Sequence, residues 1–428
     1  MIYSLCRPVG STRFVLGVAL LLAGNWSISH AEVSTWPQFL GPTRDAHADG
    51  VQLPDQLPDP FRPRLRLEVG AGYAGPVIDQ ERVVVFHRVN DVERLEAFDW
   101  HTGKSLWRFD QVAEYQGGYN PDNGPRAAPV IDQQDVFCWG ASGRLAAVDL
   151  ATGRPRWVRH LAKDYQAPEG YFGFGTAPLV MGDRVLVALG GRNGAGIVAV
   201  DRKTGNTLWR ATDEAVSYAS PIAFDYQGKS AALFLMRLAL VAVDPQTGQV
   251  LFSYPFGKRG LTVTGATPVA ADSRIFLTAS YQIGAALVDT ATGTAQLVWA
   301  NDETLSSQYA NPVYVGSYLY GTHGREDSSI PAEFRCVELA TGRVRWSQPG
   351  VGVAHVIACR DKLLVVEVQR GDVVLLKAAS DKYRELDRRH LTNDVLRAPP
   401  AIAYGHLVLR TWNGRNAGEV WLLPLSGQ

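Results

Sequence analysis

The segment Leu95-Glu-Ala-Phe-Asp99-Trp-His-Thr-Gly103-Lys-Ser-Leu-Trp107 recurs along the chain. Its apolar residues alternate up to Asp99, as in a strand. Asp99 is placed to hydrogen-bond its own turn, and Gly103 to supply the positive φ that closes it. A second strand then carries Trp107 outward, so the unit is a hairpin ending in a large aromatic. It returns as Ala147-Val-Asp149-Leu-Ala-Thr-Gly153 with Trp157, and as Ala199-Val-Asp201-Arg-Lys-Thr-Gly205 with Trp209. Ala242-Val-Asp244-Pro-Gln-Thr-Gly248 ends in Phe252, and Asp289-Thr-Ala-Thr-Gly293 reaches Trp299 two residues late. Cys336-Val-Glu338-Leu-Ala-Thr-Gly342 ends in Trp346, and a worn copy spans Leu376 to Tyr383.

A proline opens a short apolar strand ahead of each hairpin, at Pro76, Pro129, Pro178, Pro221, Pro268, Pro312 and Pro400. The first six stand 43 to 53 residues apart, and the gap from Pro312 to Pro400 is 88, twice 44. Val356 marks its midpoint, where a seventh unit has lost its proline. The count is eight units of four short strands, with almost no helical periodicity. That pattern predicts an all-β fold: an eight-bladed β-propeller of four-stranded antiparallel blades. The last unit offers only Pro400–Tyr404, His406–Trp412 and Glu419–Pro424. The segment 64–69 (RLRLEV) is expected to supply the missing outer strand, closing the ring and removing an open sheet edge.

Composition bounds the function. The 428 residues hold 42 basic and 42 acidic side chains, so no basic face for nucleic acid is expected. With 46% hydrophobic residues the chain can build a large core. Four cysteines exclude a disulfide-stapled scaffold. Residues 1–31 carry Arg7 and Arg13, an apolar run from Phe14 to Ala23, and Ser29-His-Ala31, the order of a cleaved secretory signal. The run is about half the length of ~20 residues needed to span a bilayer. The expected organisation is a signal over 1–31, a lead-in over 32–61 and the propeller over 62–428. Export to the periplasm or cell envelope follows, with no transmembrane span in the mature chain and a monomer expected.

The hairpin units, read as A-x-D-x-x-T-G-x-x-x-W, resemble the tryptophan-docking repeat of the pyrroloquinoline-quinone (PQQ) repeat superfamily. Asp99, Gly103, Trp107, Asp149, Gly153, Trp157, Asp201, Gly205, Trp209, Gly342 and Trp346 carry the match. The resemblance implies that each Trp packs between neighbouring blades, a structural role. The opening Trp36-Pro-Gln-Phe-Leu-Gly-Pro-Thr-Arg44 is similar to the start of exported bacterial members described as BamB-like. That superfamily includes both quinoprotein dehydrogenases and non-catalytic scaffolds, so the resemblance leaves function open.

No catalytic or metal set is expected. Gly103-Lys-Ser105 echoes a phosphate loop but sits in a hairpin turn with no helix behind it. A strand, not a helix, follows Gly194-Ala-Gly196. The histidines show no paired ligand spacing. Cys138, Cys336 and Cys359 remain after export, and none is adjacent to another. The resemblance makes that informative, because quinoprotein alcohol dehydrogenases commonly carry a vicinal disulfide against the quinone. Cys336, at the Ala position of its repeat, is expected to be a small buried thiol.

Aligning the blades on their opening proline brings out a binding site. The residues three before it are Tyr73, Arg126, Gly175, Tyr218, Gly265, Tyr309, Val353 and Arg397. Those one before it are Gly75, Ala128, Ala177, Ser220, Thr267, Asn311, His355 and Pro399. The first ring belongs at the axial mouth and offers tyrosine faces and arginine forks with no carboxylate, which suits a carboxylate or phosphate group. Tyr73, Arg126, Tyr218, Tyr309, His355 and Arg397 are the candidate ligand- or partner-binding residues. The long Tyr- and Gly-rich loops 114–124 and 165–175 join them. Two readings follow. The first is an envelope binding or scaffold protein without a cofactor, its partner an envelope protein, a peptide or a small anionic ligand. The alternative is a dehydrogenase using PQQ and calcium to oxidise an alcohol or sugar. Loop acids such as Asp122, Asp213 and Glu214 would then have to reach inward to hold the calcium.

Overall fold

The computed structural model describes residues 35–426 except 120–121 and 415–416; the expected signal over 1–31 lies outside them. Eight four-stranded antiparallel sheets follow one another along the chain. In the first blade, Val77–Asp79, Arg82–Val89, Val92–Asp99 and Ser105–Val112 pair in sequence order. The eighth is closed from the other end of the chain. Leu65–Gly70 pairs with Ala417–Pro424, Leu67 standing opposite Val420, beside His406–Arg410 and Ala401–Ala403. The eight-bladed, strand-closed propeller expected from the repeat is the observed fold. The unit without its proline has the strand Ala354–Cys359 innermost, longer than Val77–Asp79 because no missing N–H interrupts its ladder.

The hairpin chemistry is as the residues imply. Asp99 Oδ1 accepts the N–H of Thr102 and its hydroxyl, each at 2.7 Å, and Asp149 and Asp201 repeat the arrangement. Just before the Asp the ladder slips by one residue, between Ala97 and Phe98, Ala147 and Val148, and Ala199 and Val200. This bulge leaves Trp107 facing Ala97 and Trp157 facing Ala147, a small residue beside each indole. In blade six Cys336 faces Trp346, which explains a buried free thiol where the first four units have Ala.

Each indole then crosses to the next blade. Trp107 Nε1 donates to Leu150 O at 2.8 Å, Trp157 to Arg202 O at 2.9 Å and Trp209 to Pro245 O at 3.0 Å. The hydrogen bond removes the penalty of burying a donor, and the ring supplies apolar area at these seams. At the last seam, between blades eight and one, Leu67 from the closing strand stands over the Gly103 turn instead of an indole.

The lead-in crosses the propeller axis. Trp36 pairs with Ile78 of blade one in both directions, at 2.9 and 2.8 Å, and Pro37 O accepts Ile131 N–H of blade two at 2.7 Å. On the far side, Ala46 and Ala48 pair with Ala358 of blade seven, and His47 Nε2 lies 2.9 Å from Tyr314 O of blade six. Between them the buried Arg44 guanidinium donates to the carbonyls of Pro178 and Pro221, the opening prolines of blades three and four. The innermost strands expose unpaired backbone groups toward the axis, and the lead-in satisfies them.

Candidate functional site

The inner strands converge on a ring of side chains around a cavity of about 320 Å³. Tyr73, Arg126, Gly175, Tyr218, Gly265, Tyr309 and Arg397 line it, so seven of the eight residues three before the prolines stand where the register predicts. Val353 does not, being packed in an apolar cluster with Ala310, Ala332 and Val368. His355 lines the cavity with Ser220 and Asn311. All six candidate binding residues are therefore brought together. Phe39 of the lead-in lines the cavity too.

The residues just before the prolines hold the ring. Ala177 N–H donates to Ser220 Oγ at 2.9 Å, Ser220 N–H to Thr267 Oγ1 at 3.2 Å and Thr267 N–H to Asn311 Oδ1 at 2.7 Å. Further round, His355 Nε2 lies 2.8 Å from Arg397 O. Each contact joins one blade to the next, so the inner ring is laced side chain to backbone. The His355 pairing puts the proton on Nε2 and leaves Nδ1 as an acceptor. Burial drives the His355 pKa down to about 4, so the ring is neutral near pH 7.

The two arginines differ. Arg397 lies over the rings of Tyr309, at 4.7 Å, and Tyr73, at 5.1 Å, and pairs with Glu326 at 3.3 Å. Burial pulls its pKa down, but Tyr309 and Glu326 outweigh that and hold it above its ordinary value. Arg126 makes three hydrogen bonds, to the carbonyls of Gly124, Phe172 and Asp122 at 3.0 to 3.2 Å. Two of the five guanidinium donors are then left without an acceptor among the described residues. No described carboxylate lies within ion-pair distance of it. Burial lowers its pKa despite the nearby Asp122. Phe172 and Tyr73 flank the guanidinium at 5.5 and 5.7 Å.

The expectation of a mouth without carboxylates is corrected. Glu326 and Asp327 both line the cavity. They come from the long connection between Tyr318–His323 and Glu333–Glu338 in blade six, which has no register to the prolines. The length of that hairpin loop was the available signal. Both carboxylates are engaged: Glu326 by Arg397 and the Tyr309 hydroxyl, Asp327 by Arg325 at 3.4 Å and Gln308 at 3.2 Å. Tyr281 and Gln308 also enter from outside the aligned positions. Of the acids expected to reach inward, Asp122 is buried and accepts the N–H groups of Gly72 and Gly124, each at 2.8 Å. Asp213 accepts Gly194 N–H, and neither it nor Glu214 lines the cavity.

Calcium takes six to eight oxygen ligands, several of them carboxylate. Two carboxylates already held by arginines do not fit that role, and no cluster of three or more metal-ligating side chains occurs among the described residues. Cys138, Cys336 and Cys359 are free, each buried in a different blade.

An eight-bladed ring with tryptophan-docked seams around an aromatic- and arginine-lined axial cavity defines a propeller of the PQQ-repeat superfamily. The chain belongs to the family described as outer membrane protein assembly factor BamB, whose model matches residues 62–171 and 93–348. No curated protein matches it in sequence. Among solved structures it is similar to BamB from Moraxella catarrhalis, at 18% identity and TM-score 0.61, over 84% of this chain and 97% of that one. It is also similar to the quinohemoprotein alcohol dehydrogenase of Comamonas testosteroni, at 13% identity and TM-score 0.68, over 92% and 81%. A europium-containing methanol dehydrogenase aligns at 11% identity and TM-score 0.68, over 91% and 98%. At these identities the likeness is one of fold. No helix among the described residues is long and apolar enough to cross a membrane.

Proposed function

We propose that the chain is an exported cell-envelope propeller that binds without chemistry of its own, holding an anionic group of a ligand or partner in the axial cavity. One observation carries this reading: Arg126 stands in an aromatic-walled cavity with no carboxylate within ion-pair distance among the described residues. A guanidinium fork with free donors in a partly dry site is a receptor for carboxylate or phosphate. The mouth loops extend the surface. Tyr119 lines the cavity with 69% of its surface exposed, and its ring meets Tyr171 edge-on at 5.1 Å. Membership of a family named for outer-membrane assembly supports an envelope protein or peptide as one class of partner, and the signal-like residues 1–31 support export.

The test is capture from an envelope extract by the mature chain and by Arg126→Ala. The variant is expected to lose partner while melting within a few degrees of wild type. Unchanged capture removes the reading. Incubation with PQQ and calcium is expected to give no dye-linked alcohol oxidation, and turnover of several per second would overturn the non-catalytic assignment.

A further inference from the structure

A second arginine without a carboxylate partner lies along the same aromatic path. The axial cavity adjoins a groove of about 440 Å³, walled by the loops that lead into blades two to five and by the Arg237 turn within blade four. Tyr119, Tyr218 and Val263 line both, so the two share a wall. Each volume falls within the range of about 300–1,000 Å³ usual for ligand sites. Together they suit an extended ligand better than a compact one.

Arg126 lines the cavity and Arg237 the groove. Arg237 donates to Lys258 O, Gly260 O and Thr262 Oγ1 at 2.7 to 3.2 Å, and no described carboxylate lies within ion-pair distance of it. Glu169 is the one acid among the groove residues. Between the arginines stand flat rings: Tyr119, Tyr171, Phe172 and Tyr218, the last two 5.4 Å apart. The cavity adds acceptors for hydroxyl groups, at His355 Nδ1 and Glu326.

We propose that cavity and groove together bind an acidic oligosaccharide, a chain of sugar units that carry carboxylates. The ring faces stack on the apolar C–H faces of the sugars. Arg126 and Arg237 each take a carboxylate, and the cavity acceptors take hydroxyl protons. The chemistry matches unit by unit, because such a chain repeats an apolar face, a hydroxyl rim and a single anion. A peptide fits less well. None of the groove residues belongs to a strand, so no free ladder awaits a peptide main chain. This inference rests on the axial-site reading above and narrows its ligand.

The experiment is titration calorimetry on the mature chain with oligogalacturonate, its methyl ester, a neutral oligosaccharide of equal length and an oligoglutamate peptide. Oligogalacturonate is expected to bind, and its ester about a hundredfold weaker, the loss of two charged hydrogen bonds. Tyr119→Ala, at a largely exposed ring, and Arg237→Ala are each expected to weaken binding severalfold while melting within a few degrees of wild type. Equal binding of acid and ester overturns the inference. Oligoglutamate binding that depends on Arg126, without oligogalacturonate binding, overturns the sugar class and leaves the axial site standing. If neither anion binds and Arg126→Ala leaves extract capture intact, both fall.

Discussion

The Trp107 indole occupies the space where a side chain on Gly153 of the next blade would begin: a Cβ there would lie 2.7 Å from the ring. Trp157 and Gly205 repeat the relationship at 2.7 Å, and Trp209 and Gly248 at 2.6 Å. The glycine is thus required twice, by its φ of +72° at Gly153 and by the neighbouring ring. Gly153→Ala is expected to cost about 2–4 kcal/mol, from the left-handed backbone and the displaced indole. Trp107→Ala is expected to cost about 3–5 kcal/mol. Urea unfolding of the singles and the double should show less than additive loss, since both break one contact. Additivity would separate the two residues.

Ring closure depends on six residues of one strand. Leu65–Gly70 covers the edge of Ala417–Pro424 along its length. Deleting residues 62–70 is expected to expose that edge, with aggregation or loss of a single cooperative melting transition. A truncated chain that melts like wild type and stays monomeric in light scattering would show that closure lies elsewhere.

The lead-in is held by a buried cation. Burial draws the Arg44 pKa down to about 9, and the guanidinium is bonded to Pro221 O and Pro178 O and, at 2.8 Å, to Gln38 Oε1. Arg44→Met is expected to leave those acceptors without a donor and to cost about 2–4 kcal/mol in chemical denaturation. Near-wild-type stability would mean that water replaces the guanidinium.

Stability should rise with pH through the histidine range. His355 has a pKa of about 4 folded against 6.5 unfolded. The unfolded chain therefore binds the extra proton between those values, and stability present above pH 6.5 is lost as pH falls toward 4. The full effect is at most about 3 kcal/mol. Burial also lowers His87, His323 and His406, so the informative quantity is the difference between wild type and His355→Asn across pH 4–7 in calorimetry. Parallel curves would remove His355 from the pH response.

Much of the site was legible because one register runs through the repeat. Residues three before each proline lie at the same radius in every blade, so Tyr73, Arg126, Tyr218, Tyr309 and Arg397 could be placed together though they span more than 300 residues. Val353 fell out of the pattern where the proline is missing and an apolar cluster took the side chain. Glu326 and Asp327 were missed because they sit in a hairpin loop, which no strand register governs.

The sequence by itself determined the blade count, the docking of each tryptophan, the closing strand and the ring of candidate binding residues. These follow from strand alternation, turn chemistry and a repeat length, all local properties. Only the tertiary structure decided that the lead-in crosses the axis, that Arg44 reaches Pro221 across 177 residues, and that Glu326 neutralises Arg397 while no described carboxylate pairs with Arg126. Those outcomes depend on which loops reach the axis once the ring has closed, a long-range packing result that no local pattern encodes. The mouth that looked purely cationic in sequence is thereby a mixed one, with its unmatched charge at Arg126.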